Sequence, residues 1–190
     1  MAPARRVRDA LLRGELELDD LTARQLGALL GKTTSVVYHH FGSLEGFLFA
    51  VSQEGFALLG ERLEAALEKG GAAEAAACFV AFGLDCPALY HLMLGRPYDW
   101  KALRAAGALE GATPGVQLWG AVATRLGAEG ATDPVEDVRL LVAGLHGLVS
   151  LAATGRANVR RLEKTDRDVA LQSARTLVAR LTRKPKEKHR

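Results

Sequence analysis

The chain has 190 residues, 48% hydrophobic and 25% charged, a globular composition that excludes a disordered or fibrous polypeptide. The net charge of +3 hides an uneven spread: residues 1–45 carry six basic and six acidic side chains, 46–155 carry seven and twelve, and 156–190 carry twelve and four. An acidic middle repels nucleic acid, so any surface for phosphate belongs to one of the two ends.

Apolar residues recur at spacings of three and four almost throughout, and no period-2 alternation persists, so the chain is expected to be all-α. The spacing and punctuation predict helices over 4–13, 22–30, 34–40, 44–69, 73–84, 87–94, 100–107, 114–128, 134–155 and 166–183. Pro87, Pro114 and Pro134 each stand where a first-turn residue needs no N–H, and Asp133 is placed to cap the helix that Pro134 opens. Glycines at 70 and 71, and those between 107 and 115, separate neighbouring segments. The last stretch, TRKPKEKHR, has a proline and no apolar residue, which predicts a solvated basic tail over 184–190.

Residues 21–48 read LTARQLGALLGKTTSVVYHHFGSLEGFL. Thr22 followed three residues later by Gln25 predicts a capping box, with Leu21 and Leu26 at the positions of a hydrophobic staple. Leu26, Leu29 and Leu30 share one face, and Gly31 is placed to end the helix in a left-handed conformation. Thr33 can cap a second short helix in which Val37 and Phe41 face inward together. Two short helices joined by a tight glycine turn form a helix-turn-helix unit, whose second helix enters the major groove with small or polar side chains leading. Thr34, Ser35, Val36, Tyr38 and His39 lie on that exposed side, although a tight helical hairpin with a solvated outer face has the same local pattern.

The run LTARQLGALLGKTTSVVYHHFGSLEGF is similar, over 27 continuous residues, to the DNA-binding signature of TetR-family transcriptional regulators. There a Thr-capped helix, a Gly turn and a short recognition helix ending in Tyr-x-His-Phe precede a long connecting helix. The resemblance implies base-facing positions for Thr34, Ser35 and Val36, flanking contacts from Tyr38 and His39, and phosphate contacts from Thr33 and His40. It also implies a palindromic double-stranded operator. Leu44 departs from the pattern: members usually place Lys there, against a phosphate. Arg5, Arg6 and Arg8 on the first helix are candidates to replace that contact or, equally, solvated surface arginines.

Residues 44–69 suit a long linking helix of about 39 Å at 1.5 Å per residue. The rest of the chain resembles the helical ligand-binding and dimerisation domain of the same family, with FVAFGLDCPALYHLML and LHGLVSL carrying that likeness. The expected domains are therefore 1–45 for DNA binding, 46–183 for ligand binding and dimerisation, and the tail. Phe82, Tyr90, Met93, Trp100, Trp119 and His146 have the chemistry of an apolar pocket for a small apolar effector, or of ordinary core filling. Leu141, Leu145 and Leu148, with Leu171, Ala174, Leu177, Val178 and Leu181, are the expected interface of a homodimer built as a four-helix arrangement, with Gly144 and Gly147 permitting close helix approach.

Cys78 and Cys86, without a secretory leader pattern, fit buried thiols in a reducing cytoplasm. The longest charge-free run, 140–155, is 16 residues, short of the roughly 18 to 20 apolar residues of a membrane helix. Gly31-Lys32-Thr33 imitates the end of a phosphate-binding loop, but Leu26 stands where that loop needs glycine. No GxSxG or HExxH occurs, and the five histidines lack ligand spacing, so no catalytic residue, metal or cofactor is expected. The sequence thus points to a ligand-responsive DNA-binding regulator; the alternative is a helical interaction or small-molecule-binding module without operator affinity.

Overall fold

The computed structural model describes residues 2–31, 41–160 and 163–181. The fold is all-α, with no strand among the described residues. Helix α1 spans Ala2–Leu12, α2 Ala23–Leu30, α3 Leu44–Asp85, α4 Pro87–Tyr90, α5 Trp100–Ala105, α6 Pro114–Ala128, α7 Pro134–Ala153 and α8 Asp166–Leu181. Inside α3, Gly70 and Gly71 leave helical geometry, the latter at φ 71°, so the sequence's division into two helices there is kept. Two features escaped the periodicity. A 3₁₀ turn, Leu18–Asp20, precedes α2, and α4 runs on into a π-helical segment, His91–Gly95. The predicted tail, 184–190, lies outside the described residues.

The chain forms two compact units. The first comprises Met1–Leu59 with Cys86–Gln117. Its α1 buries Ala4, Val7, Ala10 and Leu11 and packs against α2 and α4. Phe47, Val51, Leu89, Leu92 and Leu103 fill the core. Gly55 is needed there for space: a Cβ would stand 2.6 Å from Met93 Sδ and 3.1 Å from Leu89 Cδ1. Tyr98 is buried, and its hydroxyl donates to the Leu92 carbonyl at 2.7 Å.

The second unit comprises Gly60–Asp85 with Leu118–Arg190. Helices α7 and α8 form its most extensive pairing. Asp133 caps α7 by accepting from the Glu136 N–H at 3.1 Å, as its place before Pro134 predicts. At the start of α8, Thr165 and Asp168 close a reciprocal box: each side chain accepts from the other's backbone N–H, at 3.1 and 3.2 Å. Two Arg forks tie α8 to the second half of α3, Arg167 to Asp85 at 2.7 and 3.1 Å and Arg175 to Glu74 at 2.6 and 3.0 Å.

Candidate nucleic-acid interface

The described residues frame the predicted recognition segment on both sides. Before it, Thr22 is extended and its Oγ1 accepts from the Gln25 N–H at 3.3 Å, which is the expected cap. The Gln25 side chain reaches back too, but to the hydroxyl rather than the backbone: Thr22 Oγ1 donates to Gln25 Oε1 at 2.7 Å. The Thr22 N–H donates to the Asp20 carbonyl at 2.8 Å, and the Gln25 amide donates to the Asp20 carboxylate, also at 2.8 Å. The 3₁₀ turn brings Asp20 to the helix start and takes both donors. Gly31 then ends α2 at φ 63° and ψ 31°, its N–H on the Ala28 carbonyl at 3.1 Å, as its position predicts.

After it, Phe41 meets the edge of Phe47 at 4.8 Å, and Ser43 caps α3 by accepting from the Gly46 N–H at 2.9 Å. Leu44 opens that helix and is half-buried. The candidate contact residues Thr33, Thr34, Ser35, Val36, Tyr38, His39 and His40 lie outside the described residues.

The three arginines of α1 have three different environments. Arg8 is mostly buried, with Nε and Nη2 on Asp9 Oδ1 at 2.8 and 2.6 Å and Nη1 on Glu54 Oε2 at 3.4 Å. It is therefore neither the phosphate contact nor the solvated arginine of the sequence reading. Arg5 is largely exposed, but its Nε donates to the same Glu54 oxygen at 3.2 Å. Arg6 is exposed and makes no ion pair among the described residues. Glu54 went unremarked in the sequence, although its signal was there: a carboxylate at helical spacing with Phe47, Val51 and Leu58.

The candidate pocket residues divide between the two units. Tyr90 and Met93 are buried in the first, and burial pushes the Tyr90 hydroxyl well above its ordinary pKa. Trp100, in the same unit, is 56% exposed and leans on Phe49 and Tyr98 at 6.0 and 5.7 Å, so it covers surface rather than lining an interior pocket. In the second unit Phe82 is buried, with the Arg62 guanidinium 5.2 Å from its ring centroid. Trp119 and His146 are half-buried, Trp119 lying 6.2 Å from Phe79. Cys86 is buried, while Cys78 is half-buried rather than fully so, and desolvation pushes its thiol up, away from reactivity.

Of the expected dimer residues, Leu141, Leu145, Ala174 and Val178 are buried within their own chain, where they fill the unit's core. Leu148, Leu171, Leu177 and Leu181 are half-buried. The apolar residues that α7 does expose are Val135 at 57%, Leu140 at 52% and Leu151 at 45%, with Ala143 and Ala153. Sequence periodicity marks apolar positions on a helix but does not say which of two faces meets its own chain. No single helix is long and apolar enough to cross a membrane among the described residues, and these hold no cluster of three metal-ligating side chains.

Residues 72–181 match the tetracyclin repressor-like C-terminal domain. No curated protein matches the chain. Among solved structures, the chain is similar to a protein of unknown function from Rhodococcus sp. RHA1, at 24% identity and a TM-score of 0.62, over 93% of this chain and 95% of that one. That likeness is one of fold. With more than half its length matched by the one domain, the chain belongs to the tetracyclin repressor-like, or TetR, family.

Proposed function

We propose that the protein is a sequence-specific DNA-binding transcriptional regulator, a repressor released from a palindromic operator by a small apolar effector. The observation that carries this reading is the frame around residues 32–40: a Thr22-capped helix stopped by left-handed Gly31, and a following helix capped by Ser43. Between them the chain reads KTTSVVYHH, with the residue types that contact base edges and phosphates. Thr34, Ser35 and Val36 face bases in this reading, with Tyr38 and His39 beside them and Thr33 and His40 on phosphates. Family membership supports it independently.

The protein acts as a homodimer in the cytoplasm, since two half-sites about one helical turn or a multiple apart need two recognition helices. Residues 1–45 bind DNA, and the remaining helical domain binds effector and partner. An effector favours a conformation in which the recognition helices are wrongly spaced, so operator affinity falls. Within the second unit, buried Phe82 with half-buried Trp119 and His146 are the pocket candidates.

Fluorescence anisotropy of the purified protein on fragments of its own upstream region, against a scrambled fragment and across a salt series, tests the reading. Tight binding to one fragment, a steep salt slope and broad loss in Tyr38→Ala are expected, with changed sequence preference in Ser35 or Val36 variants. Equal, weak binding to all fragments by wild type and Tyr38→Ala would instead favour a module without operator affinity. The half-buried Leu44, in the place of a phosphate-binding Lys, is the observation on that side.

A further inference from the structure

Glu54 is 3% exposed, on the part of α3 that belongs to the first unit. Its Oε2 takes two of the three arginines of α1, Arg5 Nε at 3.2 Å and Arg8 Nη1 at 3.4 Å. Its Oε1 is buried and has no hydrogen-bond partner among the described residues. Stability alone does not account for such a group. A buried ion pair recovers its desolvation cost only with excellent geometry and every lone pair satisfied, and well-packed apolar residues often replace one without loss. Here one oxygen is orphaned and both bonds to the other are long.

What the carboxylate does supply is direction. The face that α1 buries, Ala4, Val7, Ala10 and Leu11, is apolar and partly small-sided, and such contacts hold a helix without strongly fixing its rotation or register. Two guanidinium donors one turn apart, converging on a single buried oxygen, do fix it. The same bond orients Arg5. Held through Nε, that side chain keeps both terminal amino groups free of any partner among the described residues. Arg5 lines a surface groove of about 350 Å³ together with Ala2, Arg6, Asp9 and Arg13.

We propose that Glu54 is a positioning residue for DNA binding: it fixes the register of α1 on α3 and holds the free donors of Arg5 beside Arg6, where together they meet a backbone phosphate. This rests on the DNA-binding reading above. It also assigns the phosphate contact that Leu44 does not supply to Arg5 and Arg6, with Arg8 as part of the seat.

The test uses the full chain as wild type, Glu54→Gln, Glu54→Leu and Arg6→Gln, with folding checked by thermal unfolding. Two readouts are needed, anisotropy on the fragment wild type binds and hydrogen exchange of the α1 peptide, 2–12. Glu54→Leu removes one partner of the buried pair, so a merely structural role lowers the unfolding temperature and speeds exchange of 2–12 while leaving DNA affinity unchanged. The positioning role predicts, besides faster exchange of 2–12 with 166–181 unchanged, about tenfold weaker binding, within the usual range of coupling between sites. The isosteric Glu54→Gln should shift both in the same direction and serves should the Leu variant not fold. Arg6→Gln should reduce the salt slope by about one while leaving α1 exchange alone. Binding within about twofold of wild type in both Glu54 variants, whether or not α1 exchange changes, overturns the proposal and leaves the DNA-binding reading standing. Failure of that reading shows elsewhere, in a wild type that binds no fragment; accelerated α1 exchange would then leave Glu54 a seat without a role in DNA binding, which also overturns the proposal.

Discussion

Gly144 on α7 faces Leu177 on α8 with no room for a side chain between them: a Cβ at residue 144 would stand 2.7 Å from Leu177 Cδ2. The obstructing atom is the end of a flexible side chain, so a methyl group can be accommodated if Leu177 changes rotamer. Gly144→Ala also gains about 1 kcal/mol of helix propensity, which offsets the repacking, and the net change in urea unfolding should stay within about 1 kcal/mol. Gly144→Leu has no such escape and should cost about 1–3 kcal/mol, partly recovered in the double variant with Leu177→Ala. A Gly144→Leu protein as stable as wild type would contradict the close approach.

The close approach at Gly144 was legible in the sequence, because a glycine in an apolar helical stripe signals a neighbouring backbone or side chain. The other glycine of that pair differs: Gly147 has nothing within 4 Å in its own chain. The same contrast runs through the fold. Helix limits followed from local chemistry at Thr22, Gly31, Pro87, Asp133 and Pro134, and the structure places them accordingly. What local chemistry does not contain is which distant segments meet. The grouping of Cys86–Gln117 with the first unit, the pairing of Arg8 with a carboxylate 46 residues away and the exposure of Trp100 are long-range outcomes. The 3₁₀ turn and the π segment were missed because each is shorter than the window in which a period can be read.

Tyr98 joins the π segment to the core through its hydroxyl on the Leu92 carbonyl at 2.7 Å. Burial pushes its pKa up to about 12, although a hydrogen bond with Ser52 and the nearby Arg96 act against that rise. A raised pKa means that the folded state favours the neutral phenol. The associated stability is complete below the unfolded value near 10 and is lost as pH climbs through about 12. Tyr98→Phe keeps the ring and removes the donor, so it should cost about 1 kcal/mol in unfolding at neutral pH. It should also remove the step near pH 12 from the phenolate absorbance curve; an unchanged step there would show that Tyr98 ionises elsewhere.

Acid should weaken two contacts of α8, and only below the ordinary carboxylate range. The bidentate hydrogen bond from Arg175 lowers the Glu74 pKa, and hydrogen bonds from the Thr165 hydroxyl and backbone lower that of Asp168. A lowered carboxylate stabilises the fold above its unfolded pKa, and that contribution disappears as pH falls through the lower folded value. Both groups are solvent-exposed, so the effect is best read residue by residue. Carboxyl-carbon NMR titration should place both midpoints below those of ordinary Glu and Asp, and Arg175→Gln should return Glu74 to the ordinary range without moving Asp168. Coincident midpoints for Glu74 in wild type and Arg175→Gln would refute the assignment of cause.

The exposed face of α7 offers the sharpest test of self-association. Leu140, Ala143, Gly147 and Leu151 follow one another at spacings of three and four and share one side of the helix, while Leu141 and Leu145 point into the chain's own core. Leu140→Lys and Leu151→Lys should therefore convert a dimer into a monomer in light scattering after size exclusion, with little loss in helical circular dichroism, because their side chains are already half in water. Gly147→Leu should do the same: nothing within its chain meets a Cβ there, so only a partner would feel the added bulk. Leu145→Lys would place an ammonium in the core and should instead unfold the second unit, since an unpaired buried charge has no compensating partner. Dimers that survive all three surface substitutions would move the interface away from this face, and a wild type monomeric at micromolar concentration would remove the dimer itself.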